Sequence, residues 1–214
     1  MRRAVQVELR IREEPYGAMP VLVVPFPAPL RVVSSAPWGG GLGRRRFVLN
    51  AQVPPDYARR DPEVHLAAIA ARLGLGGAGV GMLTAADVRA ARGGSDGGVE
   101  VVATVGLGHP VRAAAPAGDT QQAAAGTINL ICVLPVRLSD AALVNAVATA
   151  TEAKVQALAD LGLDATGTAT DALVLACPAK GIPEPFGGPR SRWGGRLARA
   201  VHAAVLGAPA STRP

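Results

Sequence analysis

Aromatic side chains are scarce in this sequence. Its 214 residues include three phenylalanines, two tryptophans and two tyrosines. We therefore expect a core of alanine, valine and leucine, and no module that stacks single-stranded nucleic acid on aromatic rings. The net charge of +6 would allow non-specific binding to nucleic acid. Because the arginines are mostly scattered along the chain, we predict no nucleic-acid partner.

Cysteines and long hydrophobic runs are also few. Two cysteines are too few for a disulfide scaffold, and Cys132 and Cys177 lie in apolar runs that are typical of buried thiols in a reducing compartment. The longest apolar run, Val21 to Leu30, contains Pro25, Pro27 and Pro29. It is far shorter than the ~20 residues that span a bilayer. No apolar secretory signal follows the first residues. We expect a cytoplasmic protein without membrane association.

Glycine and proline, by contrast, are abundant. The chain has 26 Gly and 18 Pro, so many loops must adopt special backbone angles. Apolar residues make up 49% of the sequence and charged residues 18%, which is sufficient for a folded core. The length predicts a single domain over residues 1–214, with a core from about 20 to 206 and a flexible tail over 207–214.

Apolar runs bounded by Pro or Gly predict about eight strands. They cover residues 5–11, 21–24, 31–35, 46–53, 80–89, 99–107, 127–136 and 172–177. The glycine-rich segment 93–98 predicts a turn between the strands 80–89 and 99–107, which would then form an antiparallel hairpin. Helices are predicted over 61–74, 140–161 and 191–206, the second capped by Ser139. Most connections are too short for helical crossovers, which predicts an α+β fold with mainly antiparallel sheets and helices on the outer faces.

Lysine is rare among the charged side chains. Lys154 and Lys180 are the two lysines among 22 basic residues. At about 100° per residue, Lys154 and Thr151 fall on the same helical stripe as Leu143 and Val147. A lysine that faces a core is costly unless it is paired or functional, although its stem can also snorkel from the edge of the stripe. Both interpretations of Lys154 remain open at this point.

Polar side chains near the ends of predicted strands are further candidates. Thr168, Thr170 and Asp171 directly precede the last strand, where they could bind substrate, relay protons or cap a turn. His109 follows a strand end and precedes a proline, so it is either an acid/base group at a loop mouth or a solvated histidine.

Two serines end an earlier strand. Ser34 and Ser35 precede the glycine-rich segment 39–43, where backbone could approach a ligand closely. They are weak nucleophile candidates because no histidine lies at a telling spacing. No spacing of His and Cys typical of a metal site occurs, so we predict no bound metal.

Six sequence blocks, read in order, resemble the adenosylcobinamide amidohydrolase family. They are RVVSSAPWGGGL, RFVLNAQVP, GVGMLTAADV, VEVVATVGLGHPVRA, GTINLICVLPVRLSDAALVNAVATATEAKVQAL and ATGTATDALVLACP. The resemblance covers about residues 30 to 205. It implies hydrolysis of the amide between the aminopropanol arm and the corrin ring of adenosylcobinamide, in corrinoid salvage. The products would be adenosylcobyric acid and (R)-1-amino-2-propanol, with the corrinoid as substrate and no other cofactor.

The matching blocks carry all the candidate site residues. We predict catalytic roles for Lys154, Asp171, His109, Thr168 and Thr170. We predict substrate binding by Ser34, Ser35, Asn50, Thr84, Asn129 and Thr151; Thr127 also lies in a matching block. Amide hydrolysis needs a nucleophile or activated water, a proton donor and an oxyanion site. Our hypothesis is that Lys154, Asp171 and a nearby hydroxyl line one cleft, with His109 at its mouth.

A more distant likeness concerns the order of elements. A strand beginning GTIN, a helix and a TGT…D strand are similar to the aminopeptidase and ornithine acetyltransferase families, which fold as α/β/β/α sandwiches. An acyltransferase or aminopeptidase-like enzyme is therefore one alternative function. A corrinoid-binding module without catalysis and a nucleic-acid-associated protein are the others, and a homo-oligomer is possible.

Overall fold

The computed structural model describes residues 5–116 and 126–207. This part of the chain forms eight strands and three α-helices. The strands are β1 (Glu8–Glu14), β2 (Gly17–Ser34), β3 (Gly41–Gln52), β4 (Gly79–Thr84), β5 (Arg92–Asp96), β6 (Val99–Val105), β7 (Ile128–Val133) and β8 (Ala172–Cys177). The helices are α1 (Pro62–Arg72), α2 (Asp140–Asp160) and α3 (Arg192–Leu206), and a 3₁₀ turn covers Val88–Ala90. The predicted tail over 207–214 lies outside the described residues, apart from Gly207.

The long strand β2 belongs to two parts of the sheet. Its first part pairs with β1, its last residues pair with β8, and β3 runs along its other edge. The strand order is β4-β3-β2-β8-β7-β6-β5, with β1 beside β2. The sequence predicts two strands here, because proline cannot donate to a ladder. The backbone instead stays extended through the prolines, and the pairing with β3 shifts register between Pro25 and Leu30.

The two halves of the sheet face each other. Val48 and Met82 from the half formed by β1 to β4 share one buried cluster with Ile131 and Val174 from the half formed by β5 to β8. Alternate residues point outward on each strand and are covered by helices. The helix α1 covers the first half, and α2 and α3 cover the second. The chain therefore forms the layered α/β/β/α arrangement, which confirms the predicted α+β class with helices on the outer faces.

Most strand pairings are antiparallel, as predicted. Five of the seven are antiparallel, while β3 with β4 and β7 with β8 are parallel. Each parallel pair is joined through a helix, α1 or α2, because parallel neighbours require a crossover connection. None of the helices in the described ranges is long and apolar enough to cross a membrane.

The predicted hairpin has the wrong first arm. Strand β4 pairs with β3, and the partner of β6 in the hairpin is β5, whose residues were predicted as a turn. The glycines of β5 have a packing role. A Cβ atom on Gly94 would lie 2.0 Å from the carbonyl oxygen of Ala200, so glycine allows α3 to lie directly on the strand. The turn itself is confined to Gly97 and Gly98, which both have positive φ.

The long helix α2 begins and ends close to the predicted positions. Its cap, Ser139, accepts a hydrogen bond from the backbone N–H of Ala142. Lys154 lies on the buried face, as predicted. The prediction that Thr151 shares this face is wrong: its side chain is exposed and its hydroxyl donates to the carbonyl of Val147. A row of alanines forms much of the buried face of α2, and their small side chains allow α2 to pack closely against α3. The buried face is therefore centred on these alanines, and Thr151 lies outside it.

Candidate active site

A cleft of about 690 Å³ lies at one end of the sandwich. Its walls follow the ends of β2, β3, β4 and β6 and the beginnings of β7 and β8. Six residues with chemically useful side chains from the predicted blocks line it: Ser35, Thr84, His109, Thr127, Thr170 and Asp171. Thr127 lies on the same wall as Thr170. The topology thus brings together blocks that are far apart in the sequence.

Lys154 and Asp171 form an ion pair behind this wall. Lys154 Nζ lies 2.5 Å from Asp171 Oδ2, and the side chains are 11% and 16% exposed. Asp171 lines the cleft, whereas Lys154 reaches it from α2. The lysine is therefore paired within the protein, which compensates for its burial.

Asp171 also accepts three hydrogen bonds from donors that carry no charge. The Thr168 hydroxyl donates to Oδ1 at 2.5 Å, and the Thr168 N–H donates to Oδ2 at 3.2 Å. The Ile128 N–H donates to Oδ1 at 2.9 Å. The carboxylate thus ties the loop before β8 to the start of β7. Asp171 thereby positions the residues of both segments in the cleft.

Two threonine hydroxyls meet at this position. Thr127 Oγ1 and Thr170 Oγ1 are 2.7 Å apart, and Thr170 Oγ1 is 3.4 Å from the carbonyl oxygen of Gly126. Ser35 Oγ accepts a hydrogen bond from the Leu173 N–H, so its own proton can be directed into the cleft. The three hydroxyls are suitable for orienting water or for stabilising an oxyanion.

The cysteine thiols are unsuitable as nucleophiles. Cys132 and Cys177 are buried and unpaired. Burial raises the pKa of the Cys132 thiol to about 12 and also raises that of Cys177. Since the thiolate is the reactive form, both are inert at neutral pH. Among the described side chains, no three of His, Cys, Asp and Glu are grouped so that they could hold a metal ion.

Other predicted site residues have different surroundings. His109 is half-buried at the cleft, as the hypothesis requires, and the Thr84 hydroxyl accepts from the Ala86 N–H. Ser34 is buried and accepts from the Ala36 N–H. The structure does not place Ser34, Asn50, Asn129, Thr151, Thr168 or Lys154 among the described residues that line the cleft. Their proposed contacts with substrate stay predictions.

Asn50 and Asn129 join the two halves of the sheet. Asn129 Nδ2 donates to Asn50 Oδ1 at 2.8 Å and to the carbonyl of Leu83 at 2.9 Å. Asn50 Nδ2 donates to Thr104 Oγ1 at 2.9 Å. Both asparagines are 1% exposed. These contacts give them a structural role next to the cleft.

Sequence reasoning missed Tyr57, which also lines the cleft. Its hydroxyl lies 2.9 Å from Nδ1 of the buried His65, and the two rings stack with centroids 5.6 Å apart. Burial raises the pKa of Tyr57 and lowers the pKa of His65. The signal in the sequence was weak: a tyrosine in a loop and a histidine beside a helix stripe, eight positions apart.

Comparisons with known proteins show the family of this chain. The family model for adenosylcobinamide amidohydrolase matches residues 4–213. An adenosylcobinamide amidohydrolase of Methanosarcina mazei is 32% identical over 171 residues, which cover 76% of this chain and 82% of that protein. One of Halobacterium salinarum is 35% identical over 185 residues, which cover 80% of this chain and 77% of the relative. The chain therefore belongs to the adenosylcobinamide amidohydrolase family.

Proposed function

We propose that the protein hydrolyses adenosylcobinamide at the amide that joins its aminopropanol arm to the corrin ring. The products are adenosylcobyric acid and (R)-1-amino-2-propanol. Family membership over nearly the whole chain supports this reaction. The observation that carries it is the cleft wall, on which the family-matching blocks assemble a carboxylate and several hydroxyls around one ion pair.

The size of the cleft suggests how the substrate is bound. About 690 Å³ is typical of a site for a drug-sized ligand. We place the aminopropanol arm and its amide inside the cleft, with the macrocycle across the opening. His109, half-buried at the cleft, is then positioned to exchange protons with solvent.

The wall residues have complementary roles in this proposal. The Thr127–Thr170 hydroxyl pair orients the attacking water, and Ser35 donates to the developing oxyanion. The Lys154–Asp171 pair, with Thr168, fixes the backbone on both sides of these threonines. Fixed donors cost no reorganisation during the reaction, which is how such a site lowers the barrier.

Product analysis tests the proposed reaction. Purified protein is incubated with adenosylcobinamide, and mass spectrometry follows adenosylcobyric acid and aminopropanol. We expect both products in equal amounts. Binding of adenosylcobinamide without release of aminopropanol would contradict catalysis and favour a corrinoid-binding module. Binding to DNA or RNA with steep salt dependence, and no corrinoid turnover, would favour the nucleic-acid alternative.

We also propose that hydrolysis uses protein groups without a bound metal. The hydroxyl and carboxylate groups of the cleft can orient water by themselves. The same assay with a chelator should give an unchanged rate. Activity that is lost with chelator and restored by a divalent ion would overturn this part of the proposal. We place the reaction in the cytoplasm, since two buried unpaired cysteines suit a reducing compartment.

A further inference from the structure

A chain of hydrogen-bonded polar side chains leads from strand β1 to the cleft. Glu14 Oε1 lies 3.3 Å from Nε2 of His65, and Nδ1 of His65 lies 2.9 Å from the Tyr57 hydroxyl. The side chains of Glu14 and His65 are 3% and 4% exposed. Tyr57 lines the cleft. The mechanism proposed above uses none of these three groups.

The charges around Glu14 determine where the protons lie. Burial acts to raise its pKa, but hydrogen bonds from Arg12 and His65 and the charges of Arg12 and Arg72 leave the pKa below its ordinary value. Glu14 is therefore an ionised acceptor at neutral pH. Its neighbour His65 must carry a proton on Nε2 to donate to it, and Nδ1 of the neutral ring then accepts the Tyr57 proton.

This order of hydrogen bonds leaves a lone pair on the Tyr57 oxygen directed away from His65. A catalytic triad of serine, histidine and carboxylate is arranged in the same way: the carboxylate fixes the tautomer of the histidine, and the imidazole accepts the proton of the serine. In this protein a phenol stands between the imidazole and the cleft, so the histidine can act on a substrate that it does not touch.

We propose that Tyr57, His65 and Glu14 form a proton relay for amide hydrolysis in the cleft. Tyr57 is the catalytic residue, and His65 and Glu14 are positioning residues that act through it. This inference rests on the proposed function, since it needs an amide bond in the cleft.

The relay operates in two steps. In the first, the oxygen of water bonds to the amide carbon and the π electron pair of the carbonyl moves to its oxygen, while a water proton moves to the Tyr57 oxygen and the Tyr57 proton moves to Nδ1 of His65. In the second, the oxyanion re-forms the carbonyl and the carbon–nitrogen bond breaks, as the proton returns from His65 through Tyr57 to the leaving nitrogen. One water is consumed, an acid and an amine are formed, and the three side chains regain their starting protons.

The variant Tyr57→Phe tests the relay directly. It keeps the ring stacked on His65 and removes the hydroxyl. Tyr16→Phe is the matched control, because Tyr16 is the second tyrosine and is exposed beside Arg12 and Glu14, so this variant removes a nearby hydroxyl that is not a member of the relay. We expect kcat for adenosylcobinamide to fall about 100-fold or more in Tyr57→Phe, with KM changed less than about threefold. Tyr16→Phe should behave like the wild type. A Tyr57→Phe enzyme with kcat within about twofold of wild type would overturn the proposal.

The dependence on pH separates a relay from a purely structural tyrosine. His65 faces Glu14 and Arg12 from β1 and Tyr57, Arg59 and Asp61 from the loop before α1. Arg72 of α1 donates to the same oxygen of Glu14 that His65 approaches. A protonated His65 cannot accept from Tyr57. Wild-type kcat/KM should therefore fall as pH decreases through the His65 pKa, which burial lowers from 6.5. This decrease should be absent in Tyr57→Phe, and its persistence there would contradict the relay.

One further measurement does not need turnover. Nitrogen NMR of labelled wild-type protein should show His65 as the tautomer protonated on Nε2, with a shift of the Nδ1 signal in Tyr57→Phe. The opposite tautomer would overturn the relay even if wild-type protein releases aminopropanol. Absence of products from the wild-type protein would instead refute the proposed function.

Discussion

At the scale of single residues, Asp171 holds together the part of the cleft wall that the loop before β8 and the start of β7 form. It accepts from Lys154, from the hydroxyl and N–H of Thr168, and from the N–H of Ile128. When one partner of a buried ion pair is removed, the other is left with an uncompensated charge, which costs about 3–5 kcal/mol in fully buried pairs. Because this pair is slightly exposed, we expect the loss of one partner to lower the free energy of unfolding by about 2 kcal/mol.

Substitutions in this pair should affect both stability and catalysis. Asp171→Asn keeps the shape of the side chain and removes its charge, so we expect kcat to fall at least about 100-fold, with a lower midpoint in urea unfolding. Lys154→Met should have a similar effect. The double variant should lose less stability than the sum of the losses in the two single variants.

The control for this prediction is Asp164→Asn. Asp164 pairs with Arg112 on the surface, where both side chains are more than half exposed, so its loss should cost at most about 1 kcal/mol and leave kcat unchanged. Folded Lys154→Met and Asp171→Asn variants with near wild-type turnover would remove the pair from the mechanism.

The ion pair also requires a glycine beside it. A Cβ atom on Gly167 would lie 2.3 Å from Asp171 Oδ2 and 2.6 Å from Lys154 Nζ. Gly167→Ala should therefore displace the pair and lower kcat about tenfold or more. The control is Gly76→Ala, at an exposed glycine with no atom within 4 Å of its added Cβ. Equal activities of the two variants would show that catalysis tolerates displacement of the pair.

At the scale of helices and strands, the helix caps differ in a way that stability measurements can detect. Ser139 and Ser191 accept from the backbone N–H groups of Ala142 and Gly194 at the starts of α2 and α3. Asp61 precedes α1 but makes no side-chain cap and binds Arg59 instead. A serine hydroxyl at this position compensates an N–H that has no partner within the helix.

We therefore expect alanine at the three cap positions to have unequal effects. Ser139→Ala and Ser191→Ala should each cost about 1 kcal/mol, which lowers the Tm by about 2–4 °C in a chain of this length. Asp61→Ala should lower it by less than half as much, because it removes an exposed ion pair only. Thermal unfolding followed by circular dichroism measures all three. An Asp61→Ala effect as large as those of the serines would contradict the assignment of the caps.

Local spacing predicted some elements and missed others for physical reasons. The Ser139 cap and the buried Lys154 follow from residues within one helix, and the structure confirms both. The strand β5 was missed because Gly93 and Gly94 resemble a turn, whereas their lack of side chains serves contact with α3. The pairing of Glu14 with His65 joins residues 51 positions apart, and only the complete fold brings them together.

At the scale of the whole molecule, β2 makes the two halves of the sheet dependent on each other. It pairs with β3 in one half and with β8 in the other, and the asparagine contacts cross between them. The layered fold was predictable from the order of strands and helices. The shared strand was not, because three prolines suggested a break that the register shift accommodates.

Unfolding should therefore be a single cooperative transition. Trp38 packs on Phe47 in the first half, and Trp193, in the first turn of α3, is buried in the second. Trp193→Phe leaves Trp38 as the fluorescent reporter, and Trp38→Phe leaves Trp193. In each variant, the urea midpoint from fluorescence should equal that from far-ultraviolet circular dichroism. Separate midpoints would show that the halves unfold independently, contrary to the predicted single domain.

The bend in β2 has a mechanical consequence for ligand entry. One wall of the cleft follows β3 and β4, the other is formed by the beginnings of β7 and β8, and β2 connects the two. Pro25, Pro27 and Pro29 lie at or next to the register shift, and each fixes its φ near about −65°. We expect this stiff segment of backbone to limit changes in the separation of the two walls. In the proposed binding mode, the macrocycle would meet an entrance that is already shaped, so we expect little conformational freedom to be lost on binding.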